Sequence, residues 1–441
     1  MRRLLRKGER KWFIVRQLTI FGAWGKCDEV GWAELFQEPG ILMRNRWVVL
    51  GIFYLSSVLN YLDRSVMAAL SPMLREQLGF SLTDYGWLQG IFSAFYAFSA
   101  PMAGLLVDRY GLTIAAMGAV GFWSLAGMAR GLSGSFLGLM GTHTVMGVFE
   151  SAGIPSTAKA SHRYLRADER AYGPAMSQIG LSIGAIAAPT VFTWIAVSWG
   201  WRWAFIVPGA LGLLWIPLWL WTSKNSYVPE GDPATVAPRV KPGTMLRDPL
   251  LWGFAVGNFF SMATFSLWTV WTTEYFVRTF DLKLTSANYN YAWVPQFVAC
   301  LGALSGAWLS KRFVTRGMSP FDARRRTCLM AAFFMVSTGF VPLATTPAMA
   351  ALLISISFFA ASVWGVNYYT LPVDVYGQGR TGFAVSFLTA AYGVFVLVVS
   401  PAIGAIAQKQ GFAVVCYTFA LFPLIGYGAM ELGRKYRAAE A

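Results

Sequence analysis

The chain is expected to be an all-α integral membrane protein, with twelve transmembrane helices arranged as two pseudo-symmetric six-helix halves. Three observations carry that expectation. Of 441 residues, 56% are hydrophobic and 16% aromatic while only 13% are charged, about half the charged share of a soluble domain. Apolar stretches long enough to cross ~30 Å of hydrocarbon, which takes roughly 20 helical residues, recur from Trp47 onward. A polar, proline-rich stretch from Ser223 to Pro249 then divides those stretches six and six.

The spans run 47–70, 84–106, 112–132, 136–160, 174–197 and 202–222 in the first half. Those of the second run 250–276, 286–310, 326–345, 347–371, 381–406 and 412–432. Ahead of them lies a cytoplasmic extension, residues 1–46. Its Arg2, Arg3, Arg6, Lys7, Arg10 and Lys11 followed by Trp12 suit a basic amphipathic surface helix, and the long polar stretch Cys27 to Pro39 argues against a signal peptide. Met43-Arg-Asn-Arg-Trp47 also reads as a natural start, so residues 1–42 fit equally well as part of the protein or as a dispensable segment or over-long reading frame. Residues 47–222 form the N-terminal half, 223–249 a cytoplasmic linker, 250–432 the C-terminal half and 433–441 a cytoplasmic tail. Pro229, Pro233, Pro238 and Pro242 stop any helix within the linker.

The net charge of +15 belongs to the loops. Lys and Arg gather before Trp47, in 163–170, 224–247 and 311–326, and at the C-terminus, and only Arg75, Arg130, Arg202, Arg278, Lys283 and Lys409 fall on the opposite side. Positive charge collects on the cytoplasmic face of a bilayer, so both termini are expected there and the chain in the plasma (inner) membrane. No basic stripe with interleaved aromatics lies outside the spans, which argues against nucleic acid as a partner. Cys27, Cys300, Cys328 and Cys416 follow no paired spacing, and His143 and His162 are too few for a metal cluster. No cofactor or metal is expected, and no nucleophile–base pair in a watery loop suggests an enzyme.

Two motifs carry the chemistry. Gly104-Leu-Leu-Val-Asp108-Arg109-Tyr-Gly111, between the second and third spans, matches every fixed position of G-x-L-x-D-R-x-G. Gly104 lets helices approach closely, and Asp108 and Arg109 can tie neighbouring helix ends by charge-assisted bonds. A weak echo, Gly306-Ala-Trp-Leu-Ser310-Lys311, follows in the second half, as a duplicated architecture requires. The second motif is Asn60-Tyr61-Leu-Asp63-Arg64 inside the first span. A charge in hydrocarbon costs at least ~2.5 kcal/mol, so intramembrane charges are functional candidates, with a structural ion pair as the plainer reading. Adjacent helical residues point about 100° apart, so Asp63 and Arg64 cannot both serve each other. Glu150, in Gly147-Val-Phe-Glu150-Ser-Ala-Gly153, supplies a partner. By helical rise Arg64 lies between the two carboxylates in depth, so both are expected to compete for one guanidinium, the one left desolvated taking a proton. His143 reads as polar lining, with proton relay as the alternative.

These motifs, with Gln178-Ile-Gly180-Leu-Ser-Ile-Gly184-Ala-Ile-Ala-Ala-Pro189, Gly200-Trp201-Arg202 and the basic loop Lys311 to Arg326, resemble the major facilitator superfamily. Within it the chain is most similar to the anion:cation symporter family, in particular proton-coupled sugar-acid permeases such as hexuronate and galactonate transporters, from about Arg44 to Tyr436. The resemblance implies the major facilitator fold and uptake of a small organic anion with protons by alternating access. It implies Asp63 and Glu150 as proton-coupling groups and Arg64 as the pivot. Tyr61, Tyr96 and Gln178 join Arg64 around the substrate, and Gly104, Asp108, Arg109 and Gly111 form an inner-gate latch. Asn290 and Asn367 are the polar groups expected to reach substrate from the second half. Two departures bear on the substrate: Trp271-Thr272-Thr273-Glu274-Tyr275 stands where the family usually has Pro then Lys, and Ser386-Phe-Leu388-Thr389 lacks the Asn of sugar-acid permeases. With many aromatics nearby, a less hydroxylated or aromatic acid is also expected to fit. Gly180 and Gly184 are read as helix-packing positions. The partners are thus an organic anion, protons and the lipid bilayer, with a monomer as the working unit. An organic-anion exchanger, a drug exporter of the same fold and a non-transporting membrane sensor remain open.

Overall fold

Short polar cues open the helices. Ser81 and Asp84 cap the second helix reciprocally, each side chain bonding the other's backbone N–H. Asp248-Pro249, Ser319-Pro320 and Thr346-Pro347 each combine a capping side chain with a proline in the first turn, where its missing N–H costs nothing. The computed structural model describes residues 46–165, 172–225, 245–376 and 378–440. The expected extension before residue 46, linker residues 226–244 and Ala441 lie outside the described residues.

The first half comprises α1 (Arg46–Leu78), α2 (Leu82–Tyr110), α3 (Leu112–Leu132), α4 (Phe136–Glu150), α5 (Gly153–Tyr164), α6 (Tyr172–Trp199) and α7 (Trp201–Asn225). The second comprises α8 (Pro249–Val270), α9 (Thr272–Thr279), α10 (Leu284–Ala287), a π-helical turn (Asn288–Ala292) and α11 (Trp293–Thr315). It continues through α12 (Pro320–Met335) with a 3₁₀ extension (Val336–Leu343), α13 (Pro347–Tyr368), α14 (Leu371–Tyr376), α15 (Gln378–Gln410) and α16 (Phe412–Glu440). The described residues contain no strand. Among the described residues, ten helical segments are long and apolar enough to cross a membrane. The other two long stretches, α1 and the pair α4–α5, stand where the first and fourth spans are expected, and they are the ones that carry Asp63, Arg64 and Glu150. The expected tail continues as helix to Glu440.

Packing repeats between the halves. In the first, α1 packs on α6, α2 on α4 and α3 on α7; in the second, α8 packs on α15, α11 on α13, and α12 with its 3₁₀ extension on α16. The halves meet along α2 with α15 and α6 with α11. Gly104 approaches Pro155 and Gly306 approaches Val363, so the two echoed glycines occupy equivalent places. Gly180 and Gly184 seat α6 against α1: a Cβ on Gly184 would lie 2.7 Å from the Val58 carbonyl oxygen, a contact only glycine allows.

The two ends of the bundle differ. Toward the Arg75 end, α2 and α15 touch backbone to backbone, and a Cβ on Gly86 would lie 2.3 Å from the Ser400 carbonyl oxygen. These close approaches run from Leu82 to Ala97 on α2 and from Gly393 to Gly404 on α15. Past Ala97, toward the Asp108 end, α2 presents Phe98 (76% exposed) and Met102 (59%) to the outside.

Candidate transport site

The site begins with a helix break. Pro155 has no N–H for the carbonyl of Ser151, so the fourth span divides at Ser151–Ala152, directly after Glu150. Glu150, 1% exposed, accepts two hydrogen bonds on Oε2 from Arg64, from Nη2 at 2.7 Å and Nε at 3.2 Å. Three rings enclose the same guanidinium, with Cζ 5.3 Å from the centroid of Tyr61, 4.9 Å from Phe92 and 4.8 Å from Tyr96. A cation held over aromatic faces keeps its charge in an apolar setting. The Arg64 side chain remains 25% exposed, and it faces a cavity of about 380 Å³ in the first half. Tyr61, Arg64, Tyr96, Gln178 and Glu150 all line that cavity, as do Asn60, Ser56, Ser57, Ser177 and Thr157. Of the substrate and proton-coupling residues that the family resemblance implies in the first half, all but Asp63 therefore line one cavity.

Asp63 lies behind the cavity wall, fully buried. Its partner is Arg130, whose Nη2 donates to Asp63 Oδ1 at 3.3 Å and to the Asp63 carbonyl at 3.0 Å. Neither side chain has any exposed surface. Two expectations are corrected here. Asp63 and Glu150 do not compete for one guanidinium, because each has its own; and Arg130 is not a surface charge at the far side of the membrane but part of the core. Gly127 makes the approach possible, since a Cβ there would lie 3.1 Å from Asp63 Oδ1. The detectable signal was an arginine on a glycine-flanked helix face, Gly127-Met-Ala-Arg130-Gly131, in the last turn of an apolar span. His143 is likewise buried instead of lining the cavity: it stacks on Phe92 at 4.5 Å, with Nδ1 3.5 Å from Arg130 Nη1. The two ion pairs are under-satisfied. Asp63 Oδ2, Glu150 Oε1 and Arg130 Nε have no hydrogen-bond partner, a costly state for buried charge that favours exchange of partners.

A family profile for the Major Facilitator Superfamily matches residues 53–394. The chain belongs to the major facilitator superfamily. It is 29% identical over 399 residues to the hexuronate transporter of Escherichia coli K12, covering 86% of this chain and 92% of that one. The galacturonate transporter of Dickeya chrysanthemi is 28% identical over 323 residues, covering 69% and 93%. The D-galactonate transporter of Escherichia coli O6:H1 is 24% identical over 425 residues, covering 88% and 95%. Among solved structures, a bacterial homologue of the human lysosomal transporter Spinster, described as inward-facing and unoccupied, superposes with a TM-score of 0.71 at 18% identity over 88% of this chain and 97% of that one. The fold is thus that of a multi-pass major facilitator transporter, and not of an enzyme.

In this major facilitator the second-half expectations fare differently. Asn290 is exposed on the π-helical turn, and Asn367 is spent inside the second half, donating to the carbonyls of Gly306 and Val363. Neither lines the cavity. Tyr369 and Tyr392 come nearer to the site: Tyr392 interacts electrostatically with Arg64 and Tyr61, and Tyr369 with Tyr96. Trp268, Trp271, Trp364 and Tyr368 are buried packing residues. In the loop motif, Gly111 adopts φ +81, the left-handed region that favours glycine, and lets α2 turn directly into α3. Asp108 Oδ1 pairs with Lys159 Nζ at 3.3 Å, which also donates to the Val107 carbonyl at 2.7 Å, while Arg109 folds over Tyr110. The motif therefore ties α2 to α5 through Asp108, and Arg109 takes no part in that tie.

Proposed function

We propose that the chain is a proton-coupled symporter that carries a small organic anion of the sugar-acid class into the cell across the inner membrane by alternating access. The observation that carries this reading is the Arg64–Glu150 pair, set in an aromatic cage at the wall of a cavity wide enough for a hexose-sized acid. A substrate carboxylate entering the cavity competes with Glu150 for Arg64. Once Arg64 turns to the substrate, Glu150 is a buried carboxylate without a cation and takes a proton, so anion and proton are bound together. Asp63 and Arg130 act as the second proton-coupling pair, in electrostatic reach of Glu150. The hydroxyl and amide groups of Ser56, Ser57, Asn60, Ser177 and Gln178 favour a polyhydroxylated acid over an aromatic one, in keeping with the names of the curated relatives.

The positive-inside pattern supports a cytoplasmic position for both termini. The Asp108 end is then the inner end, and the tight α2–α15 contact at the Arg75 end supports an inward-open conformation. The test is uptake of glucuronate, galacturonate, galactonate, tartrate and benzoate into proteoliposomes, with and without an inward proton gradient, for wild type and Glu150→Gln. Gradient-driven accumulation of a sugar acid that is reduced to exchange in the variant is expected. Accumulation indifferent to the gradient and to Glu150→Gln would leave an anion exchanger, and binding without accumulation a sensor.

A further inference from the structure

The Arg75 end holds a charge pair, half-buried at Arg75 and buried at Glu274, that the coupling mechanism does not use. α8 is interrupted at Trp271, and α9 after it packs Thr273 and Glu274 against the first half. Arg75 Nη1, on the last turn of α1, donates to Glu274 Oε2 at 3.0 Å, with side-chain exposures of 21% and 0%. Beside it Asn288, at the start of the π-helical turn, donates through Nδ2 to the Ala69 carbonyl and to Thr193 Oγ1, both at 2.8 Å. Its Oδ1 accepts from Thr273 Oγ1 at 2.9 Å. Tyr85 adds a bond from α2 to the Val270 carbonyl at 3.0 Å. Apart from the Thr273–Asn288 bond, which braces the second half, each of these contacts joins one half to the other. At the Asp108 end, by contrast, Lys159–Asp108 stays within the first half, and Arg325–Glu431, Arg437–Asp248 and Arg324–Asp374 stay within the second.

On the far side of the pair a cavity of about 510 Å³ is lined by Pro72, Arg75, Glu76, Glu274, Arg278 and Lys283. On the near side the space between the halves is pinched to about 20 Å³ among Ser65, Ala68, Pro189, Thr273 and Gln296. The pair therefore sits at the closure itself. It is also poorly satisfied: one N–H···O contact joins the two groups, while Arg75 Nε and Glu274 Oε1 have no partner. A bidentate pair would use both, so this one is held by half of its bonding capacity.

We propose that Arg75 and Glu274 are positioning residues of the transport cycle: a charge latch that holds the outer gate shut while the central site faces inward, and that must open for the outward-facing state. The assignment rests on the alternating-access reading above. Asn288 keeps the neighbouring backbone in register, and Arg75–Glu274 sets the balance between the two states.

The test reads gate opening without any substrate. Ala68→Cys, in the pinched space, is labelled from outside by a membrane-impermeant maleimide in intact cells, against the parent chain as background. Glu274→Gln and Arg75→Gln are each expected to speed labelling at least about fivefold, as a shifted two-state balance requires. Arg75→Lys, which keeps the charge, and the exchanged pair Arg75→Glu/Glu274→Arg are expected to return it toward the slow rate. Unchanged labelling in both neutral variants overturns the latch. So does fast labelling that neither Arg75→Lys nor the exchanged pair slows, because loose packing would then be the cause. A protein that accumulates none of the acids yet labels as expected would refute the symporter and leave the gate standing.

Discussion

At the scale of single residues, burial separates the two charge pairs of the first half by role. Arg130 and Asp63 have no exposed side-chain surface, so removing one partner strands the other in a low dielectric. Arg130→Gln is expected to destabilise the protein by about 3–5 kcal/mol, read as a lowered melting temperature in detergent, and Arg130→Gln/Asp63→Asn is expected to recover part of that loss. Arg64 is open to the cavity and caged by three rings. Arg64→Gln is expected to abolish uptake with a smaller fall in melting temperature than Arg130→Gln. Equal thermal losses in the two variants would contradict this division. Asn288 and Asn290 make a related point. They are two residues apart and of one type, yet one is fully buried between the halves and the other exposed. A π-helical turn decides which faces inward, and its extra residue per turn is not written in the polar pattern.

At the scale of elements, helix contacts hinge on missing side chains. Gly184→Val is expected to push α6 off α1 and distort the wall that carries Tyr61 and Arg64, lowering both uptake and melting temperature, with an overpacking cost of about 1–3 kcal/mol. Gly118, with nothing within 4 Å of its would-be Cβ, should tolerate alanine in the same assays, and equal damage at both sites would show that the contact is not the cause. The break after Glu150 is equally local. Pro155 makes it visible in the sequence, whereas the break at Trp271 has no proline within it, and there the packing of Thr272–Thr279 against α1 decides.

At the scale of the whole molecule, the α2–α15 contact is the test of alternating access. Ala97 Cβ lies 2.6 Å from where a Cβ on Gly393 would stand, and a small relaxation gives the ~3.8 Å Cβ separation of a disulfide. Oxidising Ala97→Cys/Gly393→Cys is expected to stop net uptake by holding the halves together at one end, and reductant should restore it. Uptake that persists after complete cross-linking would rule out separation of α2 from α15 as part of the cycle.

Composition and periodicity by themselves determined that this chain is a helical membrane protein and where its apolar spans fall, and the resemblance of its loop motif and intramembrane charges added the major facilitator superfamily. Those are properties of neighbouring residues and of the solvent each segment can tolerate. Resemblance to sugar-acid permeases added the set Tyr61, Arg64, Tyr96, Glu150 and Gln178, which the fold gathers on one cavity. Tertiary structure alone decided that Asp63 belongs to Arg130, that Asn367 serves packing, and that Arg75 meets Glu274 across 199 positions of sequence. A buried charge is satisfied by whatever lies beside it in space, and which helix lies beside which follows from glycine contacts and interlocking surfaces that no single span records.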